Sequence, residues 1–159
     1  MVVISLNTGV RLGELFQLTW RDVDLEHRNL TIQGTTAKSG KTRHIPLNTE
    51  ALWALREWKG QGTDRTGFVF PGRVSRRELN NVRRSWLGVL DDAEISRFRW
   101  HDLRHTFASR LVMAGVDLNT VRELLGHADY KMTLRYAHLA PEHKAAAVAK
   151  LIPAGANPD

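Results

Sequence analysis

Apolar residues recur along this chain mostly at helical spacing, with one short β-prone stretch in the first third. The opening run Val2-Val3-Ile4-Ser5-Leu6 reads as the end of an apolar helix, because no Ser, Thr, Asp or Asn precedes Val2 to cap a start there. Thr8-Gly9 breaks it. Leu12, Leu15, Phe16 and Leu18 then mark a second helix over Arg11 to Leu18. Two β-prone runs follow, Leu30-Thr31-Ile32 and Thr42 to Leu47, separated by a polar segment, Gly34 to Lys41, with Gly near both ends. That is the pattern of a small antiparallel hairpin or meander with a basic tip. A helix from Thr49 to about Lys59 carries Leu52, Leu55, Trp53 and Trp58 as its apolar surface, and Phe68 to Pro71 is an extended link or edge strand.

The remainder is helical in pattern. One helix runs from Ser75 or Arg76 to about Leu90, turning Leu79, Val82, Trp86 and Leu90 inward and Arg76, Arg77, Arg83 and Arg84 outward. His101 to Met113 places Leu103, Phe107 and Leu111 at i, i+4, i+8. Asp117 caps a short helix through Leu125 that Gly126 stops. A turn or two covers Met132 to Leu139, and Pro141 opens an Ala-rich helix to about Leu151. The expected architecture is mainly α with a small antiparallel β-sheet, an α+β fold.

Composition narrows the function. The 159 residues suffice for one domain with a real core, at 42% hydrophobic and 25% charged. There are no cysteines, which excludes disulfide scaffolds, thiolate metal sites and Cys nucleophiles. No apolar run approaches the ~20 residues of a membrane span, and MVVISLNTGV lacks the features of a secretory signal. The expected setting is cytoplasmic, without a membrane. Formal charge is +6, and 17 of the 23 basic residues are Arg. Arg pairs two-pronged with phosphate, so the bias leans towards polyanions, although a solvated basic surface has the same composition.

Candidate chemistry lies in three stretches. Thr8-Gly9-Val10-Arg11-Leu12-Gly13-Glu14-Leu15 puts Arg11 in the first turn of a helix, with Glu14 one turn on to hold it; a surface i, i+3 pair has the same spacing. In Trp100-His101-Asp102-Leu103-Arg104-His105-Thr106-Phe107, residues His101, Arg104, His105 and Ala108 share one helix side, so a His and an Arg can reach one phosphate. His101 and His105 also have zincin spacing, but Asp102 stands where that motif needs Glu, Arg104 repels a cation, and His127 is a speculative third ligand. No metal site is expected. The third stretch is Leu124-Leu125-Gly126-His127-Ala128-Asp129 with Tyr136 nine residues past His127; Tyr130 is the one other tyrosine. Alone, such a His is commonly a structural hydrogen-bonder and such a Tyr a packed aromatic.

In their order, these stretches resemble the catalytic domain of the tyrosine recombinases, the phage integrase family. The matching segments are Thr8 to Leu15 with Trp20 to Asp24, Ala37 to Leu47, His101 to Ser109 and Leu124 to His138, together nearly the whole chain. The resemblance implies that Tyr136 attacks a DNA phosphodiester, releasing a 5′-hydroxyl and leaving a 3′-phosphotyrosyl link without metal, ATP or other cofactor. It implies that Arg11 and Arg104 clamp the non-bridging oxygens, His127 donates a hydrogen bond to them, and His101 assists proton movement at Tyr136. It further implies that Lys38 protonates the leaving 5′-oxygen, with Lys41 its alternative, and that Glu14 orients Arg11. Double-stranded DNA is the partner implied, with self-association into a tetramer on DNA and a monomer alone, in a bacterial or phage-encoded protein.

Weaker DNA contacts are expected from Lys41, Arg43, Arg73, Arg76, Arg77, Arg83 and Arg84. The family's amino-terminal DNA-binding domain and the opening helix of its catalytic domain are expected to be missing, leaving residues 1–152 as the catalytic domain and 153–159 as a disordered tail. An inactive DNA-binding remnant and a type IB topoisomerase-like strand transferase are the alternative functions.

Overall fold

The computed structural model describes residues 1–37, 40–62, 67–72, 79–140, 148 and 151. Helix α1 (Val2–Thr8) ends at Gly9, whose φ of 63° is left-handed, and α2 (Leu12–Phe16) starts two residues later. A Cβ at Gly9 would lie 2.5 Å from the Phe107 ring, so the close approach of this turn to the later helices depends on glycine. A 3₁₀ turn at Trp20–Asp22 leads into β1 (Val23–Asp24), which pairs antiparallel with β2 (Asn29–Ile32), and β2 pairs antiparallel with β3 (Arg43–Pro46). The sheet order is β1-β2-β3, with Leu30 opposite Ile45 and Ile32 opposite Arg43.

Helices then follow as α3 (Thr49–Gly60), α4 (Arg83–Asp92), α5 (Trp100–Met113), α6 (Leu118–Leu125) and α7 (Lys131–Leu134), with a 3₁₀ turn at Ala137–Leu139. Asn48 caps α3 by accepting from the Ala51 N–H, and Asp117 caps α6 by accepting from the Asn119 and Thr120 N–H groups. Gly126 closes α6 at φ 63°.

Three apolar clusters hold these elements. The largest joins Ile4, Leu15, the inward side chains of the sheet (Leu30, Ile32, Ile45) and Leu55 of α3. A second unites α5 and α6 through Phe107, Ala108, Val112, Val121 and Leu125, and includes Tyr136. The third is Trp86 and Leu90 of α4 against Leu103. Helix α1 is the hinge of the arrangement, packing on both α3 and α5.

The architecture is the expected one, mainly helical with a three-stranded antiparallel sheet. Two details differ. Helix α4 begins at Arg83 rather than near Arg76, with residues 79–82 non-helical and the Asn81 side chain accepting from the Arg83 N–H at its start. Leu79 and Val82 therefore lie ahead of the helix. Trp53 is 63% exposed, so Trp58 alone of the α3 pair packs on the core. Of the hairpin and the meander the sequence allowed, the sheet is the meander, β1 adding a two-residue strand beside β2. The Pro141–Leu151 helix and the 153–159 tail fall almost wholly outside the described residues.

Candidate functional site

Strand alternation places Arg43 on the same inward face as Ile45, where it is 8% exposed. Arg43, expected as a weak DNA contact, is thus turned into the interior. Its two terminal nitrogens donate to Glu14 Oε1 at 3.0 Å and Oε2 at 2.6 Å, a two-pronged pair in the interior. Glu14, 4% exposed, also accepts from the Arg11 backbone N–H at 2.9 Å and the Arg11 guanidinium at 3.0 Å. Burial pushes this carboxyl up, but the Arg43 hydrogen bonds and charge, reinforced by Arg11, outweigh it and hold Glu14 below its ordinary value.

The other ends of the arginines converge on the carboxyl end of α6. Arg43 Nε donates to the Leu124 carbonyl at 3.1 Å, Arg104 to the Leu125 carbonyl at 2.6 Å, and Arg11 to the Gly126 carbonyl at 3.4 Å. Three successive carbonyls at the negative pole of one helix thus receive three guanidiniums from α2, β3 and α5. Arg104, 3% exposed, has carbonyl partners only in its described hydrogen bonds; its second is Gly9, at 2.6 Å. Burial, then Arg11 and Arg43, press Arg104 well below its ordinary value, down to about 9, still charged at neutral pH.

One carboxylate among three guanidiniums, of which Arg43 and Arg104 are buried and Arg11 half-buried, leaves a surplus of two positive charges. Carbonyl dipoles soften that surplus without cancelling it, so an anion is favoured there. Arg11, Arg104 and His101 line a cavity of about 300 Å³ with Val10, Leu12, Arg99 and Trp100. Arg43 and His127 line a second, of about 250 Å³, with the exposed Lys41 at its edge.

His127 follows Gly126, and its Nδ1 lies 2.8 Å from the hydroxyl of the fully buried Thr133. Burial, then Arg104, Arg11, Arg135 and Arg43, bring it from 6.5 down to about 4, so the ring is neutral at physiological pH. Tyr136, 5% exposed, is packed in the α5–α6 cluster, and burial raises its pKa while Arg135 and Arg104 pull the other way. Its hydroxyl oxygen is 2.6 Å from Nδ1 of His105, not of His101. The His101 ring stands edge-on to His105, 4.8 Å between centroids.

The structure therefore brings Arg11, Glu14, Arg104 and His127 to one end of α6, with His101 on the cavity shared by Arg11 and Arg104. Arg83 and Arg84 are exposed in the first turn of α4. Lys38, Arg73, Arg76 and Arg77 lie outside the described residues. Thr133 escaped the sequence reading, which had Arg43 as a weak DNA contact and His105 on the same helix side as His101 and Arg104 without a role of its own. Strand parity with Ile45 was the signal for the burial of Arg43, and for Thr133 only its place one turn before Tyr136. Among the described residues no group of three or more His, Asp or Glu is placed to hold a metal ion, and no helix is long and apolar enough to cross a membrane.

A buried tyrosine thus stands beside a cluster of guanidiniums and a neutral imidazole. The chain belongs to the phage integrase family, whose description matches residues 1–143. It is 39% identical over 150 residues to tyrosine recombinase XerC of Xanthomonas campestris pv. campestris, covering 91% of this chain and 45% of that protein. The chain thus spans about half the length of the curated relatives it matches. Among solved structures, the catalytic domain of bacteriophage HP1 integrase superposes with a TM-score of 0.68 at 28% identity, covering 99% of this chain and 83% of that one. XerH site-specific recombinase bound to its difH substrate superposes with a TM-score of 0.71 at 25% identity, covering 96% of this chain and 46% of that one.

Proposed function

We propose that this chain is the catalytic unit, residues 1–152, of a site-specific DNA recombinase or integrase acting in a bacterial cytoplasm on double-stranded DNA. The observation that carries the reading is the trio of guanidiniums gathered on the end of α6 around one carboxylate, beside a buried tyrosine. A phosphodiester brings negative charge to a site that holds two more guanidiniums than carboxylates.

In this reading the Tyr136 oxygen attacks phosphorus, the 5′-oxygen leaves, and the 3′ end stays on the tyrosine. Arg11 and Arg104 hold the non-bridging oxygens, where charge grows in the pentacoordinate transition state. Their carbonyl and carboxylate partners fix them in advance, so little reorganisation accompanies the reaction. His127, neutral, donates a further hydrogen bond to the same oxygens. Glu14 sets the pose of Arg11, and Lys38 protonates the departing oxygen. His101, on the Arg11–Arg104 cavity, assists the proton traffic. One ester replaces another, so rejoining needs no external energy source. XerH, a protein of this fold, is bound to its DNA substrate, which supports DNA as the partner; assembly into a tetramer on DNA from monomers completes the proposal.

The test is incubation with a nicked attachment-site DNA in EDTA, resolved on a denaturing gel. A covalent protein–DNA adduct is expected that vanishes in Tyr136→Phe. Salt-dependent DNA retention with no adduct identifies a binding remnant instead, and site-independent relaxation of supercoiled DNA identifies a topoisomerase.

A further inference from the structure

A phenol cannot attack phosphorus and keep its proton, and beside the Tyr136 hydroxyl, which Arg135 also approaches, the side chain able to take that proton is His105, its Nδ1 2.6 Å away. We propose that His105 is a catalytic residue of this chain: its Nδ1 takes the Tyr136 proton as the phenolic oxygen attacks, and returns it when the strand is rejoined. This rests on the reading of Tyr136 as the nucleophile. The step balances: the P–O(Tyr136) bond forms as the P–O5′ bond breaks, His105 gains the phenolic proton, and the 5′-oxygen receives one from the general acid.

Geometry comes first. At 2.6 Å the two atoms are within proton-transfer reach without any rearrangement of the protein. Both partners are fixed independently of each other. Tyr136 is held by the Phe107, Ala108, Val112, Val121 and Leu125 cluster, and His105 is carried in the middle of α5 with the His101 ring edge-on against it. The hydrogen bond is therefore a meeting of two placed groups rather than of two free side chains.

The electrostatics agree with the direction of transfer. Burial, then Arg135, lower the His105 pKa, with Arg104 and Arg99 adding to the effect and Asp102 opposing it; the His101 ring also faces it. A ring that is neutral near pH 7 has a lone pair to accept with. Asp102, one helical turn before Thr106 and close enough to act on His105, then favours the imidazolium that forms. His101 meets His105 rather than the tyrosine, which places it one step further along the same row.

The variant His105→Asn separates proton transfer from positioning, because the amide oxygen reaches close to where Nδ1 sits and accepts a hydrogen bond but takes up no proton. With the chain on nicked DNA, single-turnover adduct formation in His105→Asn should fall by about 10²-fold or more at pH 7. The loss should shrink as pH rises towards that of free tyrosinate, because solvent then removes the proton. Thermal melting checks that the variant is folded, and ¹⁵N NMR of the wild-type chain should show His105 Nδ1 unprotonated at neutral pH and shifted by Tyr136→Phe. Adduct formation in His105→Asn within a few-fold of wild type, with the same pH profile, overturns the assignment, as does a protonated Nδ1. A wild-type chain whose adduct persists in Tyr136→Phe, or that forms none, overturns the reading of Tyr136 and this step together; a Tyr136-dependent adduct indifferent to residue 105 overturns this step alone.

Discussion

His127 illustrates how much a single neighbour decides. Where Nδ1 of the neutral His127 ring accepts from the Thr133 hydroxyl, 2.8 Å away, the ring proton sits on Nε2, which is then a hydrogen-bond donor to an anion. Burial first, and then the cations around it, keep a second proton off. Thr133→Val preserves shape in a fully buried position but removes the hydroxyl. One such hydrogen bond is worth about 1 kcal/mol, so roughly five- to tenfold slower adduct formation is expected, with DNA affinity unchanged and Thr133→Ser near wild type. Rates at saturating protein, set beside filter-binding affinities, check this. His127 was legible from Leu-Gly-His; Thr133 was not, because nothing local in a Thr says which of its neighbours it will bond.

At the scale of elements, the site is a helix end. The α6 terminus was readable from Asp117 and Gly126, which bound it as cap and stop. Its use as a cradle for Arg11, Arg43 and Arg104 was not, since those residues lie 115, 81 and 21 positions from their carbonyl partners. Gly126 is the point of tightest fit. A Cβ there would sit 2.9 Å from Arg43 Cδ, on a backbone that L-residues adopt at a cost of about 1–2 kcal/mol. Gly126→Ala should lower the Tm by roughly 3–6 °C and, by displacing Arg43 from Glu14, slow adduct formation more than tenfold. Gly13→Ala, in α2 with open space around the added carbon, is the control: its stability should hold or rise by up to about 1 kcal/mol. Calorimetry and the gel assay distinguish the two. Helix α4 teaches the reverse lesson: its apolar period extended the helix back past Val82, while in the fold it starts at Arg83, whose N–H donates to the Asn81 side chain.

For the whole molecule, the surplus of six positive charges divides into two populations. The buried guanidiniums are tied to carbonyls and Glu14, and their charge acts at one anion. The exposed Arg83 and Arg84 are free to meet a longer polyanion. DNA retention should fall linearly in a log–log plot against salt, with each phosphate contact contributing about 0.9 to the slope. The double variant Arg83→Ala/Arg84→Ala should flatten that slope by about 2 while leaving adduct formation by bound complexes unchanged. Fluorescence anisotropy across a salt series measures the first, and single-turnover gels the second.

The helical periods, the glycine stops at Gly9 and Gly126, the Asp117 cap and the β-prone pairs are local properties, so the linear order of residues determined the helical elements, the small sheet and the family resemblance. Arg11, Arg104, His127 and Tyr136 stood out because each sits in a short motif. Tertiary structure alone decided that Arg43 turns inward to share Glu14, that three arginines end on consecutive carbonyls, and that Tyr136 meets His105 instead of His101. Those contacts join segments distant in sequence, and their geometry depends on how far two packed helices approach and which way each is rotated. No periodicity along a single segment carries that information.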